Sequence, residues 1–190
     1  MATLINGFYE RHVNQLLEVL LRLNSALSAE GIPYRVIGGL AAYFYVDRVD
    51  PIAARLTRDV DVLVNRSDLE RISAAVGPYG FVYRHVAGID MLVSAENPKA
   101  RSAVHLVFAR EKVAKDYVCV APGLDSPAET ISGAPIISVA DLLTMKLTSF
   151  RLKDKVHIQD LDGVGLITQE IEAGLPKILR QRLAEVRATE

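Results

Sequence analysis

"VIGGLAAYFYVDRVDPIAARLTRDVDVLV", residues 36–64, sets two adjacent glycines after a β-like run and closes on two carboxylates one residue apart. Gly38 and Gly39 follow "YRVI", and the "LAAYFYV" behind them reads as the first turns of a helix. Bare backbone N–H groups at a helix N-terminus can approach an anion closely, although the same pair also suits a plain tight turn. "DVDVLV" (59–64) alternates and is rich in β-branched residues, the pattern of a strand. Residues i and i+2 of a strand share a face, so Asp59 and Asp61 project together while Val60, Val62 and Val64 face the core. Two neighbouring carboxylates repel, and Mg²⁺ or Mn²⁺ shared with substrate phosphates relieves that repulsion. The bland alternative leaves both in solvent at a strand end, or neutralised by Arg55, Arg58 and Arg66.

Outward from this stretch the pattern is mixed. Val13, Leu16, Leu17, Leu20, Leu23 and Leu27 are spaced for a helix over about 9–30, ended by Gly31 and Pro33. Residues 47–56 read as a polar connection. "SDLERISAAVGPYG" (67–80) reads as a helix with Ser67 as N-cap and Glu70 at N3, stopped at Gly77-Pro78. "FVYRHVAGIDMLVS" (81–94) and "SAVHLVFA" (102–109) flank the turn-rich 95–101 like an antiparallel hairpin. Loop and short strand fill 113–137. "SVADLLTMKLTSFRLKDK" (138–155) is one helix capped by Ser138, and the rest to about 187 is helical, broken at Gly163, Gly165 and 174–176. Together these elements predict an α/β (α+β) domain over 1–190, a mixed β-sheet flanked by helices with C-terminal helices from 138 to 187.

Composition sets limits. Of the 190 residues 50% are hydrophobic and 24% charged, enough to bury a core, and the net charge of −1 argues against bulk attraction to DNA or an anionic membrane. Cys119 is the sole cysteine, which excludes an internal disulfide and a zinc ribbon. Glu10, Arg11 and His12 interrupt what a secretory signal would need to be apolar, and no run has the length of a membrane span. The expectation is a soluble cytoplasmic protein. A Walker motif, H-E-x-x-H and G-x-S-x-G are all missing, and "GVG" at 163–165 lacks the context of a dinucleotide fingerprint.

Gly38-Gly39 after one strand, then Arg55-x-Thr57-x-Asp59-Val60-Asp61 on the next, resembles the nucleotidyltransferase superfamily with the polymerase-β-type fold. The similarity runs over about 34–162 and is nearest in flavour to the small bacterial branch of AbiEii-like and minimal nucleotidyltransferases. "ISVADLLTMKLTSFRLKDKVHIQDL" resembles that branch's following helix, with Lys146 and Arg151 in its basic positions. The resemblance implies Mg²⁺ at Asp59 and Asp61, and nucleotide phosphates at the Gly38-Gly39 turn with Arg55, Thr57 and Arg151 nearby. It implies transfer of a nucleoside monophosphate from an NTP to a protein, a tRNA end or a small molecule. A toxin with a cognate antitoxin is one setting it implies.

Two features depart from the family pattern. The connection from Gly39 to Asp59 is longer than in compact members. Active members also carry a third carboxylate on a later strand, where this chain has His105 in "SAVHLVF". A histidine there is a satisfied structural residue, a metal ligand or general base in place of the carboxylate, or the mark of a domain that binds nucleotide without chemistry. Asp90 and Asp116 are the nearest acidic candidates. Lys146 either snorkels its stem along an apolar helix face or brings its ammonium to triphosphate oxygens. The rival to an enzyme is therefore a catalytically inactive nucleotide-binding or protein-interaction module.

Overall fold

The computed structural model describes residues 2–96 and 103–189, with side chains from residue 13 onward. The first helix, α1 (Ala2–Ala29), is longer than its apolar spacing suggested and ends where Gly31 takes φ +60°. β1 (Tyr34–Ile37) runs straight into α2 (Gly38–Val49), which is buried over most of its length. β2 (Val60–Val64) begins one residue after Asp59. Ser67 does not cap a helix as expected: residues 66–68 form a 3₁₀ turn, and α3 (Leu69–Val76) starts without a side-chain cap.

Residues 81–94 are not one strand. They fold into β3 (Phe81–Val86) and β4 (Ile89–Ser94), joined by a turn in which Ala87 and Gly88 take φ of 52° and 79°. The expected antiparallel partnership with β5 (Val104–Phe108) does form, through β4. Most of the turn-rich 95–101 lies outside the described residues. β6 (Glu129–Ile131) and β7 (Ala134–Ile136) make a small hairpin.

The predicted helix over 138–155 splits in two. Ser138 caps α4 (Val139–Ser149) by accepting the Asp141 N–H at 3.1 Å, as its spacing indicated. Phe150 then turns left-handed at φ +50°, and α5 (Leu152–Gly163) starts afresh. α6 (Gln169–Gly174) and α7 (Lys177–Arg187) follow the breaks read at 163–165 and 174–176.

Among the described residues seven strands join one mixed sheet in the order β3-β4-β5-β2-β1-β7-β6, parallel at β2–β5 and β1–β7 and antiparallel elsewhere. α1 packs with α3, and α2 packs on β1 and β2 and against α4 and α5. Leu20, Leu23, Leu27, Val36, Val62, Leu63, Leu142, Leu143 and Leu147 are fully buried in the shared core. The buried Tyr45 hydroxyl donates to the Ile137 carbonyl at 2.7 Å and pins α2 beside β7. Among the described residues no helix is long and apolar enough to cross a membrane.

Candidate active site

The end of β1 and the start of β2 meet because the two strands are antiparallel, which sets Ile37 opposite Asp61. Gly38 therefore lies against the Asp61 carboxylate. A Cβ added at Gly38 would stand 2.1 Å from Asp61 Oδ2, and the backbone there has φ +71°. Both facts demand glycine. A Cβ at Gly39 would stand 2.5 Å from Thr57 Oγ1 and 3.4 Å from His157 Cε1. The pair is thus required by the side chains packed on it, and it opens α2 with no side-chain cap on the helix N-terminus.

Parallel pairing of β2 with β5 puts His105 directly beside Asp61. Its Nδ1 lies 3.1 Å from Asp61 Oδ1, with both side chains 28% exposed. This hydrogen bond raises the His105 pKa; burial opposes it, and the Asp61 and Asp59 charges reinforce it. Strand alternation places Asp90, opposite Leu106, on the other face of the sheet from His105. Asp90 accepts from Tyr83 and pairs with His85, so it does not complete a set with Asp61.

Asp59, Asp61, Gly38, His105, Lys146 and Arg151 line one open cleft of about 480 Å³. Gly39, Arg55 and Thr57 do not. Arg55 is spent on Asp160 of α5 at 2.9 Å, and Thr57 fills the space over Gly39. Arg66 holds Glu111 through two bonds of 2.7 Å, so neither it nor Arg55 neutralises the Asp pair. Both aspartates are hard oxygen donors facing the cleft, which fits a divalent cation shared with substrate phosphates. Among the described residues no group of three or more His, Cys, Asp or Glu forms an all-protein cage.

Lys146 does not snorkel on a surface. It is 4% exposed, with Nζ 3.1 Å from Asp154 Oδ1 and 2.9 Å from His157 Nδ1. Asp154 is fully buried and also accepts from Ser149 Oγ and Arg151 Nε, each at 2.7 Å. Burial works against its charge, but those hydrogen bonds and the Lys146 ammonium outweigh it and hold its pKa at about 2. Burial and the neighbouring ammonium push His157 down to about 4, and burial also lowers Lys146 against the pull of Asp154. No motif in the sequence singled out Asp154. The spacing Arg151-x-x-Asp154, that of a helix cap, was the available signal.

No family model matches the sequence, and no curated protein matches it. Solved structures match its fold. A crystal structure of an antigenic nucleotidyltransferase-like protein from Paracoccidioides brasiliensis superposes with a TM-score of 0.58 at 16% identity, over 93% of this chain and 89% of that one. This chain has the polymerase-β-like nucleotidyltransferase fold. ANT(2")-Ia, crystallised in complex with adenylyl-2"-tobramycin, shares it with a TM-score of 0.52 at 11% identity, over 91% of this chain and 97% of that one. The strand that leads into the glycine turn, the strand that follows Asp59 and carries Asp61, and the strand with His105 are neighbours in this chain's sheet, in the order β1-β2-β5.

Proposed function

We propose that the protein transfers a nucleoside monophosphate from an NTP to a hydroxyl acceptor, with Mg²⁺ or Mn²⁺ held by Asp59 and Asp61. One observation carries the reading: Asp61 packs on Gly38 at the start of α2, so a carboxylate and an uncapped helix N-terminus face one cleft. A bound divalent cation would supply charge neutralisation at the transferred phosphate. The chain's own groups do the rest. The amino end of α2 favours the anionic phosphates, and Lys146, Arg151 and Lys153 on the cleft wall balance their charge. Positioned cations of this kind stabilise charge that grows on the departing pyrophosphate. His105 keeps Asp61 in place and competes with the metal for it.

The acceptor would be a protein, a tRNA end or a small molecule, and a toxin acting beside a cognate antitoxin would be an extension of the same chemistry. Incubation with each α-labelled NTP and Mg²⁺ or Mn²⁺, with tRNA, cell-extract protein or tobramycin as acceptor, tests the reading. Label should appear on one acceptor class. ATP, GTP, CTP and UTP that all bind but leave every acceptor unlabelled would favour the alternative, a catalytically inactive nucleotide-binding module.

A further inference from the structure

Lys146 is a cation in an almost closed place, and its surroundings restrict how it can point. An ammonium has three N–H donors and no acceptor. Asp154 Oδ1 takes one and His157 Nδ1 takes a second, and among the described residues no third protein acceptor is within hydrogen-bonding distance. Lys146 lines the same cleft as Asp59, Asp61 and Arg151. The His157 ring is fixed in turn, since its Cε1 lies against Gly39 at the start of α2. Because an ammonium only donates, Nδ1 of His157 must accept and the ring proton must sit on Nε2.

We infer that His157 is a positioning residue whose Nδ1, together with the Asp154 carboxylate, fixes two Lys146 donors so that the third serves a phosphate oxygen of the nucleotide in the cleft. The inference rests on the nucleotidyl-transfer reading and gives it a substrate contact. Asp154 and His157 face the ammonium from α5, Arg151 from the α4–α5 junction and Asp61 from β2. Asp154 keeps Lys146 charged where burial alone would discharge it, and only a neutral imidazole can be the second acceptor. The depressed pKa of His157 agrees with that requirement.

The test compares wild type with His157→Phe, which removes the acceptor at similar volume, and His157→Asn, whose amide oxygen can stand where Nδ1 stands. Affinity for ATP with Mg²⁺ is the readout, with thermal melts confirming that each variant is folded. His157→Phe should weaken ATP binding about tenfold or more, the usual scale for a hydrogen bond to a charged group. His157→Asn should recover most of that loss. Equal affinity in all three proteins, or a folded His157→Asn as weak as His157→Phe, overturns the inference. Nitrogen NMR of the histidine rings reads it without turnover: at pH 7 His157 must be the neutral Nε2–H tautomer. A protonated or Nδ1–H ring overturns the positioning role whatever the transfer assay gives, whereas a wild type that binds none of ATP, GTP, CTP and UTP sinks the functional reading beneath it.

Discussion

Asp61 meets two restraints at once, and each can be tested at a single residue. Gly38 gives it room, so Gly38→Ala should displace the carboxylate, because the new Cβ would overlap Oδ2 at 2.1 Å in a left-handed backbone. Transfer activity should fall about a hundredfold or more while the melting temperature drops by only a few degrees. Normal activity in that variant would show that Asp61 can move without consequence. His105 restrains the other oxygen. Its pKa is raised by the hydrogen bond to Asp61, so its stabilising effect is full below the ordinary imidazole value and is lost as pH rises through the raised one. Metal must displace that proton, so Mg²⁺-dependent nucleotide binding should weaken as pH falls through the His105 titration. His105→Asp removes the competing proton and adds a carboxylate beside Asp61; it should tighten Mg²⁺ binding and flatten the pH dependence. If neither His105→Ala nor His105→Asp changes binding or rate, the residue only supports the strand.

At the scale of elements, the junction of α4 and α5 organises the cationic wall. Phe150 breaks the helix, and the buried Asp154 ties Ser149, Arg151 and Lys146 across the break. Asp154→Ala leaves Lys146 buried without its counter-ion, which typically costs 3–5 kcal/mol, roughly, when one partner of a buried pair is removed. Urea unfolding should show that loss, and a change below about 1 kcal/mol would mean that water replaces the carboxylate. Acid should weaken the same junction in two stages. His157 is held neutral, so its contribution is present above the unfolded value near 6.5 and is lost as pH falls toward about 4. Asp154 is held charged, so its contribution, on the order of 2 kcal/mol, is lost as pH falls from about 4 toward about 2. Melting temperatures measured from pH 7 to pH 4 should decline, and His157→Asn should flatten that decline. A wild-type curve that is level across this range would contradict the buried neutral imidazole.

Across the whole molecule, what could be read from the sequence was what local chemistry determines. The glycine pair, the alternating 59–64 strand, the Ser138 cap and the glycine breaks after 163 all carry their cause in neighbouring residues. The hairpin at 87–88 and the helix break at 150 did not, because Ala87 and Phe150 adopt left-handed backbones that their residue types give no reason to expect. Arg55 was read as a phosphate contact, but its partner Asp160 is 105 residues away and only the packing of α5 against α2 brings them together. The Lys146–Asp154–His157 cluster likewise exists only after the helix has broken. Whether Asp59 and Asp61 serve nucleotidyl transfer is decided by following two labels of one NTP in wild type and in Asp61→Asn. Label from the α-phosphate should move to the acceptor while label from the γ-phosphate leaves as pyrophosphate, and both should cease in folded Asp61→Asn. Transfer of the γ-label to the acceptor, or undiminished α-label transfer by Asp61→Asn, would contradict that role.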